Sequence, residues 1–186
     1  MEELPVYALG IGAFALVVAI GLYLRVKSQP EGNAEMARIA RYIREGAMAF
    51  LGREYKVLAI YAVVVSGLLF AVFKGNGAIS AGAFVSGAFL SLLAGFFGMK
   101  AATFANVRTT EAARTKGKSD ALVMALDGGA VMGLCVAGLG LIGLGVLYFV
   151  FAQASAFDDQ DSLHQLATAL HSFAVGASSI ALFARI

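Results

Sequence analysis

The sequence is poor in residues on which many soluble and secreted proteins depend. It has one cysteine, no tryptophan and two prolines among 186 residues, and only 14% of its residues are charged. The single Cys135 excludes an intramolecular disulfide and any metal site built from several thiolates. It lies in an apolar run, and we interpret it as a small buried hydrophobic residue. Soluble domains average about 25% charged residues, so an ordinary soluble domain is excluded.

Hydrophobic residues dominate the chain and are gathered into five runs separated by short polar segments. They make up 60% of the sequence, and a helix needs about 20 apolar residues to cross the hydrocarbon core of a bilayer. The sequence therefore predicts an all-α fold, a polytopic transmembrane helical bundle. Because the fifth run reaches the last residue with no cap or loop after it, we expect residues 1–186 to form the N-terminal transmembrane segment of a longer single domain. We expect five spans, at about residues 5–26, 55–73, 78–99, 121–152 and 163–186.

Basic residues are distributed unevenly between these runs. Twelve of the 14 Lys and Arg residues fall in two stretches, whereas the segment between the second and third spans contains only Lys74. Because short cytoplasmic loops carry an excess of Lys and Arg, we expect the N-terminus outside and residues 25–56 and 100–120 in cytoplasmic loops. Such stretches face an anionic leaflet of the lipid bilayer, so no nucleic-acid partner is expected. The stretches contain Arg25, Lys27, Arg38, Arg41, Arg44, Arg53 and Lys56, and Lys100, Arg108, Arg114, Lys116 and Lys118.

Polar residues mark where several helices begin and end. Asn33 is a candidate N-cap for an amphipathic helix that continues into the second span. The segment 75–77, Gly-Asn-Gly, predicts a turn after that span. Ser119 is expected near the start of the fourth helix, and Ser162 with Gln165 forms a candidate capping box for the fifth.

Small residues recur at helical spacing inside the spans. Such stripes allow the close backbone approach by which helices associate in lipid. We interpret them as surfaces for helix packing in preference to a substrate groove. They comprise Ala83, Gly87, Ser91 and Gly95 in the third span, and Gly129 and Gly133, followed by Gly138, Gly140, Gly143 and Gly145, in the fourth.

Few residues inside the spans carry catalytic chemistry. The chain has no zinc-protease, phosphate-loop or serine-hydrolase motif. His164 and His171 would need a third ligand to hold a metal ion, and we interpret them as interfacial histidines. Asp127 lies near the predicted cytoplasmic boundary, where either pairing with a loop Arg or Lys or a functional role fits.

Arg185 differs from the other basic residues because topology does not explain it. It lies roughly one bilayer thickness along the fifth helix from Ser162, at about 1.5 Å per residue. Ionisable groups in spans usually mark a substrate or ion path, whereas an arginine at a helix end can also extend to the lipid headgroups. Both interpretations fit the sequence. Ser178 lies about two turns earlier on the same helix.

Four blocks of sequence resemble the membrane-integral, ion-translocating pyrophosphatases. They occur in the family's order and cover nearly the whole chain, apart from the first helix and the segment 153–165. The blocks read IREGAMAFL (43–51) with REYK (53–56), GMKAAT (98–103) with ANVRT (105–109), GGAVMGL (128–134) and GASSIALFAR (176–185).

The resemblance implies a homodimer with sixteen spans per subunit. Members of this family hydrolyse inorganic pyrophosphate with Mg²⁺ in the cytoplasm and export H⁺ or Na⁺ across the plasma membrane, in some cases with K⁺. This chain is similar to the N-terminal five spans, and the fifth would belong to the inner ring around the ion path. Arg185 aligns with the arginine of the family's ion gate, and Ser178 is a candidate channel-lining residue. The family's catalytic and metal-binding residues follow later, so the segment alone is expected to be inactive.

A non-enzymatic membrane scaffold or a subunit of a secondary transporter is the alternative. Plain helix packing would explain the glycine stripes in such a protein. It would not require the polar blocks at 44–46 and 105–109, which favour the pump.

Overall fold

The computed structural model describes residues 4–73, 75–154 and 160–183, and the regular structure within these ranges is entirely α-helical. Each helix contains a stretch long and apolar enough to cross a membrane. The predicted all-α fold with five membrane-spanning helices is confirmed. The helices are α1 (Leu4–Ser28), α2 (Ala34–Val72), α3 (Gly77–Thr115), α4 (Lys118–Ala154) and α5 (Gln160–Phe183).

The helices α2 and α3 are much longer than a bilayer is thick. Each has 39 residues, which at 1.5 Å per residue gives about 58 Å, against about 30 Å for the hydrocarbon core. The prediction of a loop over 100–120 is wrong for most of that segment, because α3 continues to Thr115. It contains no Gly or Pro between Met99 and Lys116, and Gly117 then ends it with a φ of 98°.

The boundaries of α2 agree with the sequence. Asn33 is the N-cap, and its side-chain oxygen accepts a hydrogen bond from the Met36 amide at 2.8 Å. At the other end, Gly75 has a φ of 97°, and the Asn76 amide donates to the Phe73 carbonyl at 3.2 Å. The predicted turn therefore joins α2 to α3.

Helix starts were predicted less well for α4 and α5. The helix α4 begins at Lys118, one residue before Ser119, and has Asp120 in its first turn. The helix α5 begins at Gln160, so Ser162 lies within its first turn and the predicted capping box is wrong. Asp161 instead supplies an acidic residue at the positive end of the helix dipole.

The helix α3 lies at the centre and contacts all four other helices. Glycines bring α3 and α5 together, because a Cβ atom on Gly87 would collide with the Phe173 carbonyl oxygen and one on Gly176 with the Phe84 carbonyl oxygen. The predicted packing role is confirmed at Gly87, whereas Ser91 and Gly95 of the same stripe lie in the wall of a cavity. The close approach at Gly176 also holds the part of α5 that carries Ser178 against α3.

The helices α1 and α4 approach each other in the same way. A Cβ atom added to Gly12 would lie 2.8 Å from the Gly138 carbonyl oxygen, and one added to Gly138 would lie 2.9 Å from the Gly12 carbonyl oxygen. By contrast, Gly129 and Gly133 have open space around them. Their predicted packing role is not seen in the described part of the chain, because they lie on a face of α4 turned away from α1 and α3.

Both basic stretches come together at one end of the bundle. The helices α1 and α3 end there, and α2 and α4 begin there. We call this the basic end. Polar contacts at the basic end link the termini of neighbouring helices. A separate cavity lies among α2, α3, α4 and α5.

Candidate functional site

A buried arginine joins two helices at the basic end. The side chain of Arg108 on α3 is 5% exposed, and its guanidinium donates hydrogen bonds to three backbone carbonyls. These are Gln29 at 2.9 Å, Lys27 at 3.1 Å and Phe104 at 2.9 Å. The last carbonyls of a helix lack partners within the helix, so a cation on α3 satisfies the carboxyl end of α1.

The turn between α1 and α2 is held by the same arginine. The Glu31 Oε1 atom lies 3.1 Å from Arg108 Nη2 and 2.9 Å from Arg44 Nη2. Both guanidinium groups also lie over the Phe104 ring, at 4.5 Å for Arg44 and 5.4 Å for Arg108. One carboxylate and one ring therefore join the turn, α2 and α3.

Sequence reasoning missed this cluster. It treated Arg108 as one of several cytoplasmic basic residues and as part of a family block. A usable signal was present: Arg108 stands in an alanine-rich helix, and Pro30-Glu31-Gly32 provides an acidic turn after α1.

A second ion pair lies one turn further along α3. The Arg114 guanidinium donates to both carboxylate oxygens of Glu111, each at 2.9 Å. This hydrogen bonding lowers the pKa of the Glu111 carboxyl below its usual value and raises the pKa of Arg114. Glu111 is thereby held ionised beside the α1–α2 turn.

Asp127 on α4 pairs with α1. Its Oδ2 atom lies 3.4 Å from Arg25 Nη1, in a side chain that is 13% exposed. The approach lacks hydrogen-bond geometry, and Oδ2 is buried without a hydrogen-bond partner among the residues the structure describes. The contact is therefore an ion pair between a helix end and a neighbouring helix, which agrees with the structural interpretation of Asp127.

The metal site considered for the two histidines is not assembled by α5. The His171 Nδ1 atom lies 2.7 Å from the Ala167 carbonyl oxygen of its own helix. Within residues 4–73, 75–154 and 160–183, no group of three or more His, Cys, Asp or Glu side chains could hold a metal ion.

A cavity of about 410 Å³ lies among α2, α3, α4 and α5. Its wall is mostly apolar and contains residues from the small-residue stripe of α3. Ser178, the candidate channel-lining residue, is part of the wall, and its hydroxyl donates to the Ala174 carbonyl at 2.6 Å. Arg185 lies outside the described residues, so both assignments stay predictions. Four polar side chains line the cavity: Glu54, Tyr55, Ser91 and Ser178.

Tyr55 connects α2 to α3 at the wall of this cavity. Its hydroxyl donates to the Leu92 carbonyl at 2.6 Å, and Leu92 lies seven residues inside the predicted end of the third span. The preceding residue, Glu54, lines the cavity but has no hydrogen bond or ion pair with any residue that the structure describes. Glu54 is therefore a partly exposed carboxylate in the wall of a mostly apolar cavity, at the predicted start of the second span.

Comparison with known proteins identifies the family of the chain. The sequence profile of the family described as inorganic H⁺ pyrophosphatase matches residues 13–186, which is nearly the whole chain. The chain belongs to this family. It is similar to the N-terminal part of the family's proteins, so the resemblance of the four sequence blocks is confirmed.

Named relatives of this pyrophosphatase-family chain include pumps for two different ions. It is 44% identical to a putative K⁺-stimulated pyrophosphate-energized sodium pump of Clostridium tetani, with 100% of the chain and 25% of the relative covered. It is 37% identical to a K⁺-insensitive pyrophosphate-energized proton pump of Caldanaerobacter subterraneus, with 95% and 26% covered. It is 38% identical to a K⁺-stimulated pyrophosphate-energized sodium pump of Thermotoga maritima, with 98% and 25% covered. The chain therefore spans about a quarter of the length of these relatives.

Proposed function

We propose that the full-length protein is a membrane pump that couples hydrolysis of inorganic pyrophosphate to transport of H⁺ or Na⁺ out of the cytoplasm. The observation that carries this proposal is the family match over residues 13–186. It is supported by relatives named as pyrophosphate-energized proton and sodium pumps. Because both kinds of pump resemble the chain at similar identity, the proposal covers either ion.

The segment would contribute to the membrane part of such a pump. Its five long apolar helices suit a lipid bilayer, and Ser178 on α5 lines a cavity between four of them. We assign Arg185 to the ion gate and Ser178 to the channel wall, on the strength of the family resemblance. The N-terminus would lie outside, and the basic end would face the cytoplasm.

Hydrolysis is assigned to parts of the protein outside this chain. Pyrophosphate hydrolysis in the family uses Mg²⁺, a cation that prefers oxygen ligands. On the strength of the family resemblance, and because the chain spans about a quarter of its relatives' length, we propose that the Mg²⁺-binding and hydrolytic residues lie elsewhere in the full-length protein. A homodimer in the plasma membrane, with K⁺ stimulation as a further option, completes the proposal.

Sealed membrane vesicles test the proposal directly. The full-length protein should hydrolyse pyrophosphate when Mg²⁺ is present, and should drive uptake of H⁺ or Na⁺ into inverted vesicles. An ionophore should abolish the gradient but not the hydrolysis. Absence of pyrophosphate hydrolysis in folded full-length protein would refute the pump and favour the scaffold or secondary-transporter alternative.

A further inference from the structure

We propose that the outward face of α2 binds an anionic phospholipid, with Arg53 and Lys56 holding the phosphate of its headgroup where the second span begins. The site lies outside the cavity, and the inference goes beyond the proposed function without depending on it. It is supported by the position of the two basic side chains, their lack of acidic partners and the exposed apolar face that continues from them into the membrane.

Arg53 and Lys56 lie on either side of residue 55, the predicted start of the second span, and both are exposed. They are three residues apart, so they lie about 60° apart around α2 and about 4.5 Å apart along it. The core side of α2 at this level is marked by Leu51 and Leu58, which are 6% and 3% exposed. At about 100° per residue, these leucines lie about 140–160° from the two basic residues. The basic pair is therefore on the side of α2 that faces away from the bundle.

No acidic side chain neutralises this pair among the residues that the structure describes. Glu54 lies between the two basic residues in sequence, but it lines the cavity on another side of the helix. Glu45 is exposed and lies eight residues before Arg53, about 12 Å away along the helix. Two uncompensated positive charges therefore face outward at the membrane boundary. The basic residues that do form ion pairs in the described part of the chain are Arg25, Arg38, Arg44, Arg108 and Arg114.

The same face of α2 is apolar and exposed on the membrane side of the pair. Ile60 follows Arg53 by seven residues and Val63 follows Lys56 by seven, so each lies within about 20° of its basic residue and about 10 Å deeper in the membrane. Their side chains are 66% and 71% exposed, so no helix of the described chain covers them. A cationic pair next to an exposed apolar face matches the two parts of an anionic phospholipid, its headgroup and its acyl chains.

Small residues leave room for a headgroup beside the pair. A side chain on a helix covers the turn that precedes its own Cα atom, which is the turn of Ala49 for Arg53 and of Gly52 for Lys56. Both small residues are exposed, and a Cβ atom added to Gly52 would have no atom within 4 Å. Because α2 begins at the basic end, this direction takes both cations away from the hydrocarbon core and toward the phosphates. The guanidinium can then bind a phosphate through two hydrogen bonds, and the ammonium adds a second charge.

Arg38 and Arg41 provide a matched control on the same helix. They are also three residues apart and exposed, and each lies 15 residues before its counterpart in the proposed site. This separation is about 22 Å along α2, which is more than twice the Debye length of about 8–10 Å at physiological salt. Replacing either pair with glutamine removes two positive charges from α2, either at the membrane boundary or well outside it.

Native mass spectrometry of the full-length protein tests the proposal, because it counts the lipids bound to each oligomer. Phosphatidylglycerol and phosphatidylcholine with the same acyl chains are titrated in a neutral detergent, and wild type should bind phosphatidylglycerol more tightly. Arg53→Gln combined with Lys56→Gln should weaken this binding about 30-fold, since each basic residue near an anionic surface contributes about fivefold. Arg38→Gln combined with Arg41→Gln should match wild type. Each single substitution at Arg53 or Lys56 should cause about a fivefold loss, which keeps the test available if the double variant does not fold.

Several results would overturn the proposal. Equal binding of the two lipids by wild type, or undiminished phosphatidylglycerol binding by the Arg53 and Lys56 variants, would show that this face does not select an anionic lipid. Equal losses in the two double variants would attribute the binding to overall charge. Displacement of the lipid by glycerol phosphate alone would assign the pair to a soluble phosphate, and dissociation of an oligomer by the variants would make this face a subunit interface. Because no pyrophosphate is added, a failure of the proposed pump in the vesicle assay is distinct from each of these results.

Discussion

Arg108 and Glu31 meet at the basic end with 3.1 Å between Nη2 and Oε1, although one belongs to α3 and the other to the turn after α1. Arg44 of α2 shares the same carboxylate oxygen at 2.9 Å. Three consecutive helices are therefore joined through one acidic side chain that is 29% exposed. The pair is a structural feature distinct from the cavity, and its loss should affect stability first.

Replacing Arg108 with alanine should destabilise the full-length protein by about 3 kcal/mol, because breaking a buried pair leaves polar groups without partners. Arg108→Lys should recover little, since an ammonium cannot bond Lys27, Gln29 and Glu31 in the same planar geometry. Thermal unfolding in detergent measures the loss. Arg38→Ala is the control, because Arg38 and Glu35 form an exposed pair worth about 0.5 kcal/mol. Equal losses of stability from the two substitutions would contradict the role of Arg108 in joining α1, α2 and α3.

The contact between α3 and α5 should be intolerant of a single methyl group. Gly87→Ala places a Cβ against the Phe173 carbonyl, and overpacking of this kind costs about 1–3 kcal/mol. Gly21→Ala on α1 meets no atom within 4 Å and should be neutral or slightly stabilising, since alanine favours helix. The folded fraction recovered from membranes distinguishes them. Wild-type recovery of Gly87→Ala would place α5 further from α3 than the structure does.

The Glu111–Arg114 ion pair should make the thermal stability of the protein depend on pH. Because the pKa of Glu111 is lowered from its usual 4.5 by the Arg114 hydrogen bonds, its contribution is complete above pH 4.5 and is lost as pH falls through the lowered pKa. Glu111→Gln should therefore unfold at a lower temperature than wild type at pH 7, and the difference should narrow below pH 4.5. A difference that is constant with pH would show that the charge of Glu111 contributes nothing.

The predicted orientation can be read from cysteine labelling. In a variant with Cys135 replaced by alanine, Asn76→Cys should react with an impermeant thiol reagent applied to intact cells. Lys116→Cys should react only after permeabilisation, because the basic end is expected in the cytoplasm. The opposite pattern would invert the topology.

Arg185 at the proposed ion gate should be needed for transport more than for folding. Arg185→Ala in the full-length protein should reduce pyrophosphate-driven transport about tenfold, the effect of about 1.4 kcal/mol on a barrier. Arg185→Lys should also transport poorly, because a point charge replaces a two-pronged donor. Folded protein in the membrane is measured alongside. Wild-type transport by Arg185→Ala would mean that the side chain only extends to the headgroups.

The membrane spans could be predicted because hydropathy depends on local composition alone. The extent of α3 could not, since charges such as Lys100 and Arg108 suggest a loop when a helix leaves the bilayer. Glycine spacing identified Gly87 but also selected Gly129, because periodicity shows that a face is smooth without showing which helix covers it. Glu31 and Arg108 were missed for a related reason: their contact depends on tertiary packing between distant parts of the chain.

The contacts that Arg108 makes with the end of α1 and with Glu31 also have a consequence for biogenesis. The acceptors at Lys27, Gln29 and Glu31 are synthesised before Arg108, which follows Glu31 by 77 residues. At about 5–20 residues per second, the interval is roughly 4–15 s. During that time the Lys27 and Gln29 carbonyl oxygens at the end of α1 lack their arginine partner and accept hydrogen bonds from water instead. Arg44 can pair with Glu31 before then, but the carbonyls at the end of α1 gain their side-chain partner only when the distal part of α3 is synthesised.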